Sequence, residues 1–170
     1  PFLPILSSRG CSFECGYCPY KVNYTWRERS PQNVLQEIDY LVNKFRIKGI
    51  LFRDPIFSFN KKRSAEIAEG IIQRKYKIKW ACETRLDLLD EKLIDILYRS
   101  GLRVINVGIE SAHSDVLEKA TRKAISMEHQ EKIIRYCERK GVRVTVFYIL
   151  GLPDDTEEGI IKTIKYAKKL

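Results

Sequence analysis

Apolar and polar residues alternate along the chain in blocks that predict strands and helices in regular succession. Short apolar runs bounded by turn residues predict strands at 2–6, 49–53, 78–85, 103–110 and 142–150. Between these runs and after the last of them, apolar positions recur every three or four residues and predict helices at 31–45, 60–75, 90–100, 114–120, 126–140 and 156–170. Such a succession predicts an α/β fold, in which parallel strands are joined by right-handed crossovers and covered by helices.

Residues at the helix ends support these boundaries. The pair Ser30–Pro31 supplies an N-cap and a proline in the first helical turn, and Asn60 and Asp90 stand where the next two helices begin. Gly101 and Gly141 follow two of the helices, where a residue without a side chain can adopt the left-handed conformation that ends a helix. The helix pattern therefore agrees with the capping chemistry.

Polar residues that follow the predicted strands distinguish between two α/β architectures. A cysteine-rich loop follows the first strand, and Asp54, Arg85, Glu110 and Gly151 stand at the ends of the others. In a barrel these positions converge on one mouth, whereas in an open sheet they are spread along one edge. We therefore expect a TIM-like partial (βα) barrel of five to six βα units, truncated before the sixth strand.

Length and charge restrict the classes of protein that need to be considered. With 170 residues, 44% of them hydrophobic, the chain is expected to form one domain over 1–170, as part of a larger protein. The net charge is +9, but acidic and basic residues are interleaved, as in 27–29. This pattern is typical of solvated helix faces, so a nucleic-acid surface is not favoured.

The sequence also predicts a cellular compartment. No apolar run reaches the roughly 18 residues of a membrane span, and the first residues do not resemble a signal peptide. Five cysteines, of which three are clustered, do not suggest the disulfide framework of a secreted protein. We therefore expect a cytoplasmic protein.

The cysteine loop carries the strongest chemical signal. Cys11, Cys15 and Cys18 are spaced C-x3-C-x2-C, which is dense enough to indicate a metal centre. Zinc sites usually need a second pair of ligands, and a cuboidal iron–sulfur cluster usually takes four. The other cysteines and the histidines stand singly, at Cys82, His113, His129 and Cys137. Three ligands would leave one iron of a cluster open for chemistry, while a non-catalytic zinc-binding interaction module stays an alternative.

This loop resembles the signature loop of the radical S-adenosylmethionine (SAM) superfamily. The resemblance rests on the three spaced cysteines, on Tyr17 just before the last of them, and on Arg9–Gly10 just before the first. It implies a 4Fe–4S cluster whose fourth ligand is SAM. It also implies cleavage of SAM to a 5′-deoxyadenosyl radical, with an electron donor such as flavodoxin or ferredoxin.

Further segments resemble the same family and imply roles for individual residues. Asp54 matches an acidic position after the second strand, 108–111 is similar to a ribose-contacting stretch, and 149–156 is similar to a segment after the fifth strand. The implied SAM contacts are these: Tyr17 at the adenine, Glu110 at the ribose or ammonium group, Asp54 at the ammonium group, Arg85 at the carboxylate, and Gly151 along the adenosine. Each of these contacts is an expectation from the resemblance.

The overall arrangement, including the segments 26–34, 52–54 and 82–85, is most similar to the branch of the family that carries a cobalamin-binding domain. That likeness implies cobalamin-assisted methyl transfer or rearrangement on an unknown substrate, with cobalamin held by a domain outside this chain. The 170 residues contain no D-x-H-x-x-G cobalamin motif. A tRNA-modifying methylthiotransferase-like enzyme of the same family is the alternative that the positive charge would suit.

Overall fold

The computed structural model describes residues 2–19 and 25–170. The strands are β1 (Phe2–Ile5), β2 (Ser8–Arg9), β3 (Arg27–Glu28), β4 (Gly49–Phe52), β5 (Lys79–Thr84), β6 (Leu102–Glu110) and β7 (Arg143–Tyr148). The helices are α1 (Pro31–Phe45), α2 (Lys61–Gln73), α3 (Glu91–Arg99), α4 (Ser114–Lys119), α5 (Met127–Arg139) and α6 (Glu157–Lys169). Within these described ranges, no helix has both the length and the hydropathy needed to cross a membrane.

Five of the strands form one parallel sheet in the order β1-β4-β5-β6-β7. The order follows the chain, as in a barrel, and lacks the reversal of an open doubly wound sheet. The predicted α/β fold and partial barrel are therefore confirmed, and the described strands do not close into a full barrel. β2 and β3 pair separately as an antiparallel ribbon of two residues each.

The predicted helix starts are confirmed in atomic detail. The side chains of Ser30, Asn60 and Asp90 each accept a hydrogen bond from the backbone N–H three residues later. These bonds satisfy donors that have no partner within the helix. The last strand is shorter than predicted, because regular pairing stops at Tyr148.

The core lies between the sheet and the helices and is centred on aromatic side chains. Phe52, Phe57 and Trp80 are fully buried, and their ring centroids lie 4.7 to 5.3 Å apart. Cys82 and Cys137 are buried in the same core, as expected for small apolar side chains. Phe52 is the last residue of β4, and residues that follow β4 and β5 line the polar cleft described below.

Two glycines at helix ends should respond differently to an added methyl group. Gly101 has a φ of 113°, and a β-carbon there would collide with the carbonyl oxygen of Ile78, whereas Gly141 has a φ of 75° and open space around it. We expect Gly141→Ala to lower the free energy of unfolding by about 1 kcal/mol through backbone strain alone. Gly101→Ala should cost about 3 kcal/mol, because a steric clash adds to the strain. Urea unfolding measures both, and equal losses would contradict the clash.

Candidate functional site

A cleft of about 210 Å³ lies where the cysteine loop meets the carboxyl ends of β5 and β6. The side chains that line it include the three clustered cysteines and several polar groups: Cys11, Cys15, Tyr17, Cys18, Glu83, Arg85, Glu110 and Arg122. The predicted convergence of strand ends is therefore observed for the cysteine loop, Arg85 and Glu110. In barrel enzymes this end of the sheet carries the chemistry.

Both ends of the cysteine loop are anchored. The β2–β3 ribbon pairs Ser8 with Glu28 at its base. The backbone N–H of Arg29 donates to the carbonyl of Ser7 at 3.0 Å. The buried guanidinium of Arg63 donates to the carbonyls of Ser7 and, at 2.7 Å, of Arg29. The two strands that enter and leave the loop are thus held together by backbone bonds and by one arginine.

Asp54 holds the residues that lead into the same loop. It is fully buried at the end of β4 and accepts bonds from the Ser7 N–H at 3.1 Å, from Ser7 Oγ at 2.8 Å and from Ser8 Oγ at 2.5 Å. It is not among the residues that line the cleft. The geometry therefore gives Asp54 a supporting position, and its contact with a SAM ammonium group stays a prediction.

The three thiols share the cleft but differ in exposure. Cys15 is 7% exposed, and Cys11 and Cys18 are half-buried. Burial raises the pKa of the Cys11 thiol, and the neighbouring Cys18 and Cys15 raise it further. Within residues 2–19 and 25–170, no three His, Cys, Asp or Glu side chains lie close enough together to share one metal ion. In a cuboidal cluster each thiolate binds a different iron, so these three thiols do not need to meet at one point.

The cleft also offers polar groups that the protein leaves unused. In the described part of the chain, Tyr17 Oη and Arg85 Nη1 are buried without a hydrogen-bond partner. Leaving such a group unpaired costs about 1–3 kcal/mol, so it is expected to meet a ligand. Three thiols, a phenol and a free guanidinium nitrogen suit a thiolate-bound iron–sulfur cluster with a carboxylate-bearing cofactor beside it. The residues present therefore fit the group that the sequence predicts.

Glu110 reaches the cleft through a distortion at the end of β6. The pairing with β7 shifts between Gly108 and Glu110, and Glu110 has a φ of 69°. The carboxylate folds back over Gly108, where a β-carbon would collide with it. Burial raises the pKa of the Glu110 carboxyl, and the guanidinium of Arg122, 3.8 Å away, opposes that rise. A strained glutamate that needs a glycine beneath it is typical of a functional site.

Arg85 is partly committed to the protein. Its Nε and Nη2 donate to the two carboxylate oxygens of Asp87, both at 2.9 Å, and its guanidinium lies 4.3 Å from the centre of the Phe13 ring. Although burial acts against ionisation, the bonds from Arg85 hold the pKa of Asp87 below its usual value. The remaining nitrogen, Nη1, is therefore the part of Arg85 that can meet a ligand.

Gly151 does not line the cleft, but its neighbours lie close to Tyr17. It has a φ of 79°, and its N–H donates to Asp155 Oδ2 at 3.2 Å. Leu152 and Pro153, which follow it, line a second cavity of about 180 Å³ together with Tyr17. The predicted adenosine contact at Gly151 therefore stays a prediction, next to a cavity that Tyr17 shares with the following residues.

Arg122 is a site residue that sequence reasoning missed. Its side chain is 8% exposed, its Nη1 lies 3.8 Å from Cys15 Sγ, and its Nη2 donates to the Gly108 carbonyl at 2.5 Å. It stands in the short connection between α4 and α5, where an arginine is usually solvated. No periodicity or motif in the single sequence marks it.

Comparison with known sequences gives a family match over nearly the whole chain. The sequence model of the Radical SAM superfamily matches residues 5–167. An uncharacterized methyltransferase of Pyrococcus horikoshii is 33% identical over 172 residues, which cover 100% of this chain and 37% of that protein. The anaerobic magnesium-protoporphyrin IX monomethyl ester cyclase of Rubrivivax gelatinosus is 29% identical, over 95% of this chain and 29% of that protein. The chain thus spans about a third of the length of these relatives.

Solved structures give the same fold. The radical SAM methyltransferase TsrM from Kitasatospora setae, with tryptophan substrate and a SAM analog bound, matches 99% of this chain and 34% of its own, with a TM-score of 0.88 and 20% identity. The cobalamin-dependent SAM radical enzyme OxsB, with aqua-cobalamin and SAM bound, matches 96% of this chain and 26% of its own, with a TM-score of 0.80 and 21% identity. At these identities the likeness is one of fold.

Proposed function

The chain belongs to the radical SAM superfamily, and from that premise we propose that Cys11, Cys15 and Cys18 are the protein ligands of its 4Fe–4S cluster. The fourth position is left to SAM. Members of this family are enzymes that bind both groups, and together the cluster and SAM supply a 5′-deoxyadenosyl radical after one electron is transferred. The chain is accordingly the radical SAM core, over 1–170, of an enzyme.

One observation carries the assignment of ligands. The three thiols line a single cleft at the carboxyl ends of the strands, beside two buried polar atoms that lack partners in the described part of the chain. The protein's own contribution is to hold the loop, to exclude water and to place charge. The loop is held by the β2–β3 ribbon, Asp54 and Arg63. Such pre-organisation is what a radical reaction requires of its protein.

The SAM contacts follow from the groups that remain available. Arg85 Nη1 pairs with the carboxylate, Glu110 accepts from the ribose hydroxyls or the ammonium group, and Tyr17 lies near the adenine. Gly151 and the residues after it extend along the adenosine, since they neighbour the cavity that Tyr17 shares. Asp54 shapes the loop that holds the cysteines, and its contact with the SAM ammonium group stays a prediction.

The reaction of the whole enzyme is cobalamin-assisted methyl transfer. Support comes from the relatives, which include a methyltransferase with 33% identity, and from cobalamin-bound structures with the same fold. Cobalamin would be held by a domain outside these 170 residues. The methylthiotransferase alternative has less support, since the named relatives are methyltransferases and a cyclase. Family membership favours an enzyme over a non-catalytic zinc module.

The reaction also needs a substrate and a reductant. Flavodoxin or ferredoxin is the proposed electron donor, because the cluster must be reduced by one electron for each SAM molecule cleaved. The protein works in the cytoplasm, where thiols stay reduced, which suits five cysteines without a disulfide between them.

Anaerobic reconstitution with iron and sulfide tests the proposed function. We expect about four iron and four sulfide per chain. We also expect 5′-deoxyadenosine to form from SAM when dithionite is added. A protein that binds zinc but neither iron nor sulfide would overturn the proposal and restore the zinc-module alternative. Denatured protein taken through the same procedure controls for adventitious iron.

A further inference from the structure

The residues between α4 and α5 brace the cysteine loop. The carbonyl of Ala120 accepts from the Gly16 N–H at 2.8 Å, and Thr121 Oγ1 donates to the Glu14 carbonyl at 2.9 Å. Thr121 adopts a left-handed φ of 52°, which turns the chain back toward the cleft. Three successive residues, 120–122, therefore contact the loop that carries the cysteines. We call this segment the loop brace.

The last residue of the loop brace brings a buried positive charge to one thiol. Arg122 Nη1 lies 3.8 Å from Cys15 Sγ, and Cys15 is the most buried thiol of the three. The other end of the guanidinium is fixed, because Nη2 donates to the Gly108 carbonyl and lies 3.8 Å from Glu110. The side chain therefore has little freedom to leave the sulfur.

Resting on the proposed function, we propose that Arg122 is a positioning residue that stabilises the reduced, more negative state of the cluster through its charge beside Cys15. Reduction adds one negative charge to a thiolate-bound cluster. A nearby buried cation favours that charge, and hydrogen bonds to ligand sulfurs act in the same direction. Glu110 offsets part of this effect, since its carboxylate contacts the same guanidinium.

The test is the midpoint potential of the reconstituted full chain, followed by EPR. Arg122→Met removes the charge and leaves an unbranched apolar side chain in its place. We expect the equilibrium constant for one-electron reduction to fall at least tenfold, which is a shift of 59 mV to more negative potential. Arg122→Lys keeps the charge and should recover at least half of the shift. Arg135→Met, on the exposed face of α5, removes an arginine that does not line the cleft and should leave the potential unchanged.

Each outcome decides for or against the role of Arg122. An Arg122→Met protein with a full cluster and an unchanged potential would overturn the proposal. If Arg122→Met folds but binds no cluster, the Arg122→Lys variant distinguishes a role of the charge from a role in packing. A loaded Lys variant near the wild-type potential supports the charge, and a Lys variant that also fails to load assigns Arg122 to packing alone. Failure of the wild-type chain to bind iron and sulfide would instead refute the proposed function.

Discussion

Cys15→Ala is expected to abolish both cluster binding and the formation of 5′-deoxyadenosine. Cys15 is the most buried thiol of the cleft, and Arg122 of the loop brace lies beside its sulfur. Its neighbours Glu14 and Gly16 are bonded to the other two residues of the loop brace. Without it, two thiols remain for a cluster that needs three from the protein. The folded apoprotein should lose only about 1 kcal/mol of stability, because the side chain is small. Iron and sulfide content, absorption in the visible range and SAM cleavage provide the measurements.

The chain offers a matched control for this substitution. Cys137 is also buried and unpaired, but it lies in the core on α5, outside the cleft. Cys137→Ala should bind a full cluster and cleave SAM at the wild-type rate, at a similarly small cost in stability. A Cys15→Ala protein that still cleaves SAM would rule out Cys15 as a ligand.

Asp54→Ala is expected to destabilise the protein by about 4 kcal/mol, because it leaves three buried donors without their acceptor. Those donors are the N–H and hydroxyl of Ser7 and the hydroxyl of Ser8. The nearby buried Arg63 also loses a compensating negative charge. Urea unfolding of the apoprotein measures the loss, and cluster content should fall with it as the loop loosens.

The same substitution separates support of the loop from direct contact with SAM. As a control for the loss of a carboxylate, Glu138→Ala removes an exposed side chain on α5 and should change the free energy of unfolding by less than about 0.5 kcal/mol. Asp54→Asn keeps one acceptor oxygen and should give an intermediate loss. If Asp54→Ala leaves stability unchanged but weakens SAM binding, the carboxylate touches the cofactor and the supporting role is wrong.

Local chemistry explains why so much of the fold could be predicted. Strand and helix periods are set by neighbouring residues, and so are the caps at Ser30, Asn60 and Asp90. The cysteine spacing and the polar strand ends were equally visible in the sequence. By contrast, the β2–β3 ribbon escaped prediction because each strand has only two residues and shows no alternation.

The parts of the site that could not be predicted depend on distant contacts. Arg122 reaches Cys15 across 107 residues of sequence, and nothing near Arg122 encodes that meeting. Asp54 was correctly placed at a strand end, but a carboxylate there can turn either to the cleft or to the neighbouring loop. The donors on Ser7 and Ser8 decide its direction, and they lie 46 to 47 residues away.

The anchoring of the cysteine loop has a consequence for the order in which the enzyme is assembled. Asp54 and Arg63, which hold Ser7, join the structure only after the chain through α2 has been made and packed. Contacts over such separations form late, because closing a long segment costs entropy before it gains energy. The cysteine loop is therefore expected to lack its folded conformation while the first part of the chain is being synthesised. Maturation machinery that delivers iron and sulfide would then meet a folded acceptor rather than an emerging peptide.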